Sequence, residues 1–209
     1  MLTISNYQKK YPGNNNPVLS IESLHLNKGI YWLKGENGSG KTSLMKSIAG
    51  LIPFNGDILV NDVHIHKKRM EYAAIVNYAE AEPLYPLFLT GKELIGFYSS
   101  TKKGTFPQQL FNALGVEHFQ HQKILTYSSG MIKKLSLVLA FIGNPLLILL
   151  DEPLIALDTA SVTILQQTIA AYYAEGVSFI ITSHQPLDET VIKEPATLFV
   201  KDHLIQSIA

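Results

Sequence analysis

Gly35-Glu36-Asn37-Gly38-Ser39-Gly40-Lys41-Thr42 matches in full the pattern G-x-x-x-x-G-K-[ST], a loop whose backbone N–H groups wrap around phosphate oxygens. Its three glycines permit the tight turn. Lys41 can reach the outer phosphates and the Thr42 hydroxyl can ligand Mg2+, with Ser43 next in line. A second group with chemical potential is Asp151-Glu152. Asp151 can hold Mg2+ through water, and Glu152 is free to orient or deprotonate an attacking water. His184 follows a further apolar run and is suited to contact the terminal phosphate. Together these residues point to hydrolysis of a nucleoside triphosphate. Arg69 is the only arginine, within Lys67-Lys68-Arg69-Met70, read as a solvated loop. An arginine finger therefore has little to be built from, and another device must stabilise the transferred charge.

The flanking sequence predicts the elements that position these groups. Ile30-Tyr31-Trp32-Leu33 reads as a strand entering the loop, and Ser43 to Ala49 as a helix leaving it, with Leu44, Met45 and Ile48 on one face and Gly50 as its stop. The loop thus sits at a helix N-terminus, whose partial positive charge favours phosphate. Leu146 to Leu150 is continuously apolar, as expected of a central parallel strand delivering Asp151 and Glu152 from its C-terminal end. Thr159 to Ala174 reads as an amphipathic helix (Val162, Leu165, Ile169 and Tyr172 inward), and Val177 to Thr182 as the strand presenting Ser183-His184. Thr197 to Val200 and Leu204 to Ser207 form a closing hairpin.

Short alternating runs from Leu2 to Leu33, broken by a turn at Pro12 to Pro17, predict an antiparallel β-layer. Asn55-Gly56 reads as a hairpin dipeptide leading into Asp57 to Ile65, and Ala73 to Tyr78 as another short strand. From Glu80 onward the pattern turns helical. Thr90-Gly91-Lys92-Glu93 fits a capping box before a stripe of Leu94, Phe97 and Tyr98; Pro107 to Leu114 is a second helix. Ser128 is the N-cap of a third, with Ile132, Leu135, Leu139 and Ile142 at helical spacing. The fold expected is α/β, a mainly parallel core sheet with an antiparallel β-subdomain and a helical insert.

Bulk composition narrows the partners. Lysine plus arginine and aspartate plus glutamate balance at 17 each, which argues against direct nucleic-acid binding or a dominant membrane-surface interaction. Cysteine is absent, excluding disulfides, thiol catalysis and Cys-ligated metal. Met1 to Ser5 lacks the character of a signal peptide, and no apolar run is long enough to span a bilayer. The remaining histidines, His64 and His66 or His118 and His121, read as surface or strand residues.

At this point the chain resembles the nucleotide-binding subunit of ABC transporters over essentially its whole length, as one cassette domain of residues 1–209. The resemblance divides it into a core with β-subdomain, about 1–79 and 143–209, and a helical subdomain, about 80–142. Gly35 to Thr42 matches the Walker A motif of this P-loop NTPase family, Leu146 to Asp151 the Walker B motif, and Glu152 the adjacent catalytic glutamate. Ala156-Leu157-Asp158 is similar to the D-loop, His184 to the switch histidine, and Tyr11 to the aromatic residue that stacks on adenine. Tyr127-Ser128-Ser129-Gly130-Met131 stands where the family has L-S-G-G-Q, and Glu80 where it has the Q-loop glutamine that ligands Mg2+.

The resemblance implies ATP and Mg2+ as cofactors and a head-to-tail dimer with an identical or paralogous cassette. In that dimer Ser128, Gly130 and the helix dipole reach the γ-phosphate across the interface, in place of the missing cation. It implies an ATPase that energises a separate membrane-spanning permease, held in the cytoplasm at the inner face of the membrane. A soluble ABC-type switch acting on a protein or nucleic-acid partner is the alternative; a small-molecule kinase would need neither the signature nor the D-loop. Ser129, Met131 and Glu80 depart from the family pattern, as do Leu154 and Ile155 before the D-loop.

Overall fold

The computed structural model describes residues 1–13, 16–193 and 195–208, so Asn14 and Asn15 of the expected turn lie outside the described residues. A six-stranded sheet forms the centre. Its order runs from the hairpin β10 (Leu204–Ile208) and β9 (Ala196–Lys201) through β3 (Ile30–Gly35), β8 (Ser178–Thr182) and β7 (Leu147–Asp151) to β6 (Val76–Ala79). All neighbouring pairs are parallel except β9 with β10. Every residue of β7 and β8 is buried. Both faces are covered, because Leu147 and Leu149 join one core while Ile148 and Leu150 join the other. Period-two alternation with apolar residues on both sides is why these strands read as unbroken hydrophobic runs.

On one face lie α1 (Lys41–Ile48) and a four-stranded antiparallel sheet. That sheet pairs β1 (Leu2–Lys9) with β2 (Leu19–Leu26) and β4 (Asn55–Val60), with β5 (Val63–His64) outside β4. The other face packs on α3 (Gly91–Lys102), α4 (Gln108–Ala113), α5 (Ser129–Ala140) and α6 (Thr159–Ala174), the first three being inserted between β6 and β7. Thr90 and Glu93 complete the expected capping box, and Ser128 and Asp158 cap α5 and α6 by accepting from Met131 N and Ser161 N.

Four local expectations need correction. Asn55-Gly56 is not a hairpin turn: it opens β4 at a register shift, where Gly56 (φ 102°) passes Asn6 O so closely that a Cβ would lie 2.4 Å from it. The hairpin is made directly after β4, by Asn61 and Asp62 at φ 45° and 64°. Arg69 is exposed as expected, but it begins a short helix, α2 (Arg69–Ile75), which also takes Ala73 to Ile75 out of the predicted strand. Finally, Phe97 is 64% exposed, so the buried stripe of α3 runs through Leu94 and half-buried Tyr98 instead.

Asn77 ties the insert to the sheet. Its buried Nδ2 donates to Ala140 O at 2.7 Å and Ile142 O at 2.8 Å, satisfying carbonyls at the open end of α5. Asn77→Ala leaves both acceptors buried without a donor, an expected loss of about 2–3 kcal/mol. For a domain of this size that corresponds to a fall in Tm of about 5–10 °C, readable by thermal denaturation.

Candidate active site

Three chain segments leave the C-terminal edge of the sheet side by side: the phosphate loop after β3, the turn after β7 and the turn after β8. Ligands of open parallel sheets bind at this edge. Here they enclose a cavity of about 420 Å³ lined by Tyr11, Val18, Asn37 through Ser43, Asp151, Glu152 and His184. A larger cavity of about 700 Å³ lies beside Glu80, Tyr85 and Phe97. The smaller one holds the convergent charged groups, and the chemistry belongs there.

The phosphate loop is fixed by close approach. Gly35 has φ 153°, and a Cβ on it would lie 2.6 Å from Val200 O of β9, so the turn out of β3 demands glycine. Lys41 folds over the loop and donates to Gly35 O at 2.7 Å and Glu36 O at 2.9 Å. Burial lowers its ammonium from the ordinary lysine range, against the opposing pull of Glu152 and Asp151. Tyr11 stands at the cavity rim, its hydroxyl 3.0 Å from Ser43 Oγ and its ring 4.4 Å from the Lys9 ammonium.

Asp151 is 2% exposed and held by two hydroxyls, Thr182 Oγ1 at 2.5 Å and Tyr78 Oη at 3.1 Å. Thr182 is its register partner in β8, and the same Oγ1 accepts from Glu152 N at 2.9 Å. Burial and the facing carboxylate push the Tyr78 phenol far above the ordinary tyrosine range, which keeps it a donor. Glu152 takes a left-handed conformation, φ 46°, uncommon for a residue with a side chain. Its carboxylate accepts from His184 N at 3.2 Å and lies 3.5 Å from His184 Nε2. The strained turn swings Glu152 out of the β7 line and across to the end of β8.

The His184 segment has a prop that the sequence did not disclose. Trp32 Nε1 donates to Ser183 O at 3.1 Å, and the Lys34 ammonium caps the indole at 3.5 Å from the ring centroid. Thr182, Tyr78 and Trp32 were all missed, although Thr182 was detectable in principle as the last residue of the strand expected beside β7.

Magnesium fits the donor set. Thr42 and Asp151 bring a hydroxyl and a carboxylate to one cavity, the hard oxygen ligands this ion takes alongside substrate phosphates. Among the described residues there is no group of three His, Asp or Glu that could cage a metal unaided. Glu80 is not brought to this cavity: its carboxylate pairs with Lys46 of α1 at 2.9 Å and lines the larger one. Ser128 and Ser129 also lie elsewhere, exposed at the N-terminus of α5, with Gly130 half-buried behind them. Asp158 is drawn well below the ordinary carboxylate range, first by the Ser161 backbone N–H and then by Lys134 of α5 at 3.0 Å.

The profile of the family described as ABC transporter matches residues 20–155, more than half of the chain and including both phosphate-site segments. The chain belongs to the ABC transporter family. It is an ATP-binding cassette and an ATPase.

An uncharacterized ABC transporter ATP-binding protein of Bacillus subtilis, YybJ, is 32% identical over 196 residues, covering 90% of this chain and 87% of its own. The lantibiotic transport ATP-binding protein SrtF of Streptococcus pyogenes is 27% identical over 188 residues, covering 88% and 80%. Among solved structures, an ATP-binding subunit of an ABC transporter superposes with a TM-score of 0.88 at 20% identity, covering 100% of this chain and 90% of that one. The cassette MJ0796, described as dimeric in a post-hydrolysis state with ADP and Pi, gives 0.82 at 18% identity, covering 100% and 99%. These two share the cassette fold with this protein. The expected α/β class, with its parallel core, antiparallel layer and helical insert, holds throughout.

Proposed function

We propose that this cassette energises transport through a separate membrane-spanning permease, working as a head-to-tail dimer with two ATP and magnesium sites. The observation that carries the permease is the apolar rim of the larger cavity, where Leu84 is 94% exposed, Phe97 64% and Leu51 56%, with Phe88, 74% exposed, in the same loop as Leu84. Three large apolar side chains in water beside an open groove mark a surface for a protein partner. No helix among the described residues is long and apolar enough to cross a membrane. The similar protein SrtF carries transport in its name, which supports the same reading. The cassette would then sit in the cytoplasm against the inner face of the membrane.

In this reading Gly35 to Ser43 bind the phosphates of ATP, with Lys41 on the outer ones, and Tyr11 stacks on adenine at the rim. Thr42 and Asp151 hold magnesium, which when bound neutralises phosphate charge. Glu152 takes the proton of the attacking water, and His184, braced by Glu152 and by Trp32 through Ser183, contacts the terminal phosphate. Ser128, Ser129 and Gly130, exposed at the start of a twelve-residue helix, close the partner's site in trans, while Asp158 orders the D-loop between them. Residues 80–142 behave as a helical subdomain that moves against the core. Glu80, at the junction, acts as the charged counterpart of Lys46 in this reading rather than as a magnesium ligand.

The test is purification of the tagged protein from detergent-solubilised membranes of its source. A multi-spanning protein in stoichiometric amount is expected, and Leu84→Ser with Phe88→Ser should reduce its recovery about tenfold or more, as loss of buried apolar anchors does. Tyr85, half-buried against the core, is the poorer target. Recovery with soluble proteins alone, and none from the membrane fraction, would favour a soluble ATP switch.

A further inference from the structure

Lys133 lies in the second turn of α5 with 3% of its surface exposed. Its ammonium donates to three backbone carbonyls, Ala81 O at 2.6 Å, Glu80 O at 3.1 Å and Glu152 O at 3.2 Å. An ammonium has three donors and no acceptor, so these oxygens use its whole capacity. Among the described residues no carboxylate stands within ion-pair distance of it. Burial outweighs the longer-range attraction of Asp151, Glu152 and Glu82 and lowers the ammonium from the ordinary lysine range, so an apolar side chain would fill the same place at less expense. The site is therefore poorly explained by packing alone.

The three carbonyls belong to two segments that leave the neighbouring strands β6 and β7. Glu80 and Ala81 follow β6, while Glu152 is the left-handed residue after β7. Lys133 thus clamps the strained peptide that aims the Glu152 carboxylate at His184. On its far side the Glu80 carboxylate is gripped by Lys46, which projects from the helix that begins in the phosphate loop. A continuous path of polar contacts runs from α5, which Ser128 caps, through Lys133 to both Glu152 and the last turn of α1.

We infer that Lys133 is a positioning residue that holds the Glu152 backbone in its left-handed turn and couples that turn to the Glu80 segment and the helix capped by Ser128. The inference rests on Glu152 acting as the base. Loss of the clamp lets the carboxylate drift from its place while the phosphate loop, which Lys133 does not touch, still binds nucleotide.

Steady-state ATPase rates and ATP binding by Lys133→Met, Lys133→Arg and Glu152→Gln separate the possibilities. Lys133→Met should lower kcat about 10- to 100-fold, the scale of a catalytic group misplaced by about an ångström. ATP affinity should stay within about threefold of the parent, so the loss falls on kcat alone. Lys133→Arg, which restores charged donors, should recover much of the rate. If Lys133→Met fails to fold, Lys133→Gln, with two amide donors, is measured instead and should fall below the parent in kcat. Parental kcat in the variant measured, or parallel loss of affinity and rate with arginine no better than methionine, overturns the inference. Parental turnover by Glu152→Gln would remove the base reading and this inference together; an inactive Glu152→Gln beside a fully active Lys133→Met removes only the clamp.

Discussion

Glu152→Gln should slow ATP hydrolysis by about 10²–10⁴-fold, the range for removing a general base. The substitution is nearly isosteric. Glutamine keeps an oxygen for the His184 N–H, now 3.2 Å from the carboxylate, and tolerates φ 46° as well as glutamate does. The contacts that hold Asp151, from Thr182 and Tyr78, do not involve the Glu152 side chain. What is lost is the capacity to accept a proton from water. ATP should consequently bind with near-parental affinity, and in the head-to-tail dimer proposed above, where turnover would separate the cassettes, an ATP-bound dimer should accumulate. Single-turnover hydrolysis, with gel filtration in ATP and Mg2+, measures both effects. Parental turnover would assign the base elsewhere.

Lys41→Ala should weaken ATP binding about 10- to 100-fold, in line with losing charge-assisted hydrogen bonds to phosphate. Its ammonium now bonds Gly35 O and Glu36 O, oxygens of its own loop, and a bound nucleotide would draw it outward. Glu36 is exposed and Gly35 only half-buried, so water can replace the lysine at both carbonyls. The fold should hardly change, with Tm within about 2–3 °C of the parent. Titration with a fluorescent ATP analogue reads the affinity. An unchanged affinity would mean that the loop amides alone carry the phosphates.

What the sequence disclosed was what its chemistry keeps local. The phosphate loop, the Thr90 and Ser128 caps and the β7 strand ending in Asp151 each occupy one contiguous stretch, and each folds as its residues dictate. The surroundings of those residues were less legible. Thr182 reaches Asp151 through strand register, Trp32 reaches Ser183 from 151 positions away, and Lys133 meets carbonyls 52 and 19 positions distant. Backbone acceptors in particular leave no trace in side-chain identity. Asn55-Gly56 misled for the opposite reason, since a dipeptide suited to a turn suits a bulge equally when a neighbouring strand passes close by.

The placement of Trp32 has a practical side. It is the only tryptophan in the chain, and its indole N–H is bonded to the residue preceding His184. Intrinsic emission excited at the red edge therefore comes from one ring lying against one segment. The protein carries an unlabelled optical probe at the end of β8, so that nucleotide entry, closure and product release can be followed in a stopped-flow cuvette without altering a single residue.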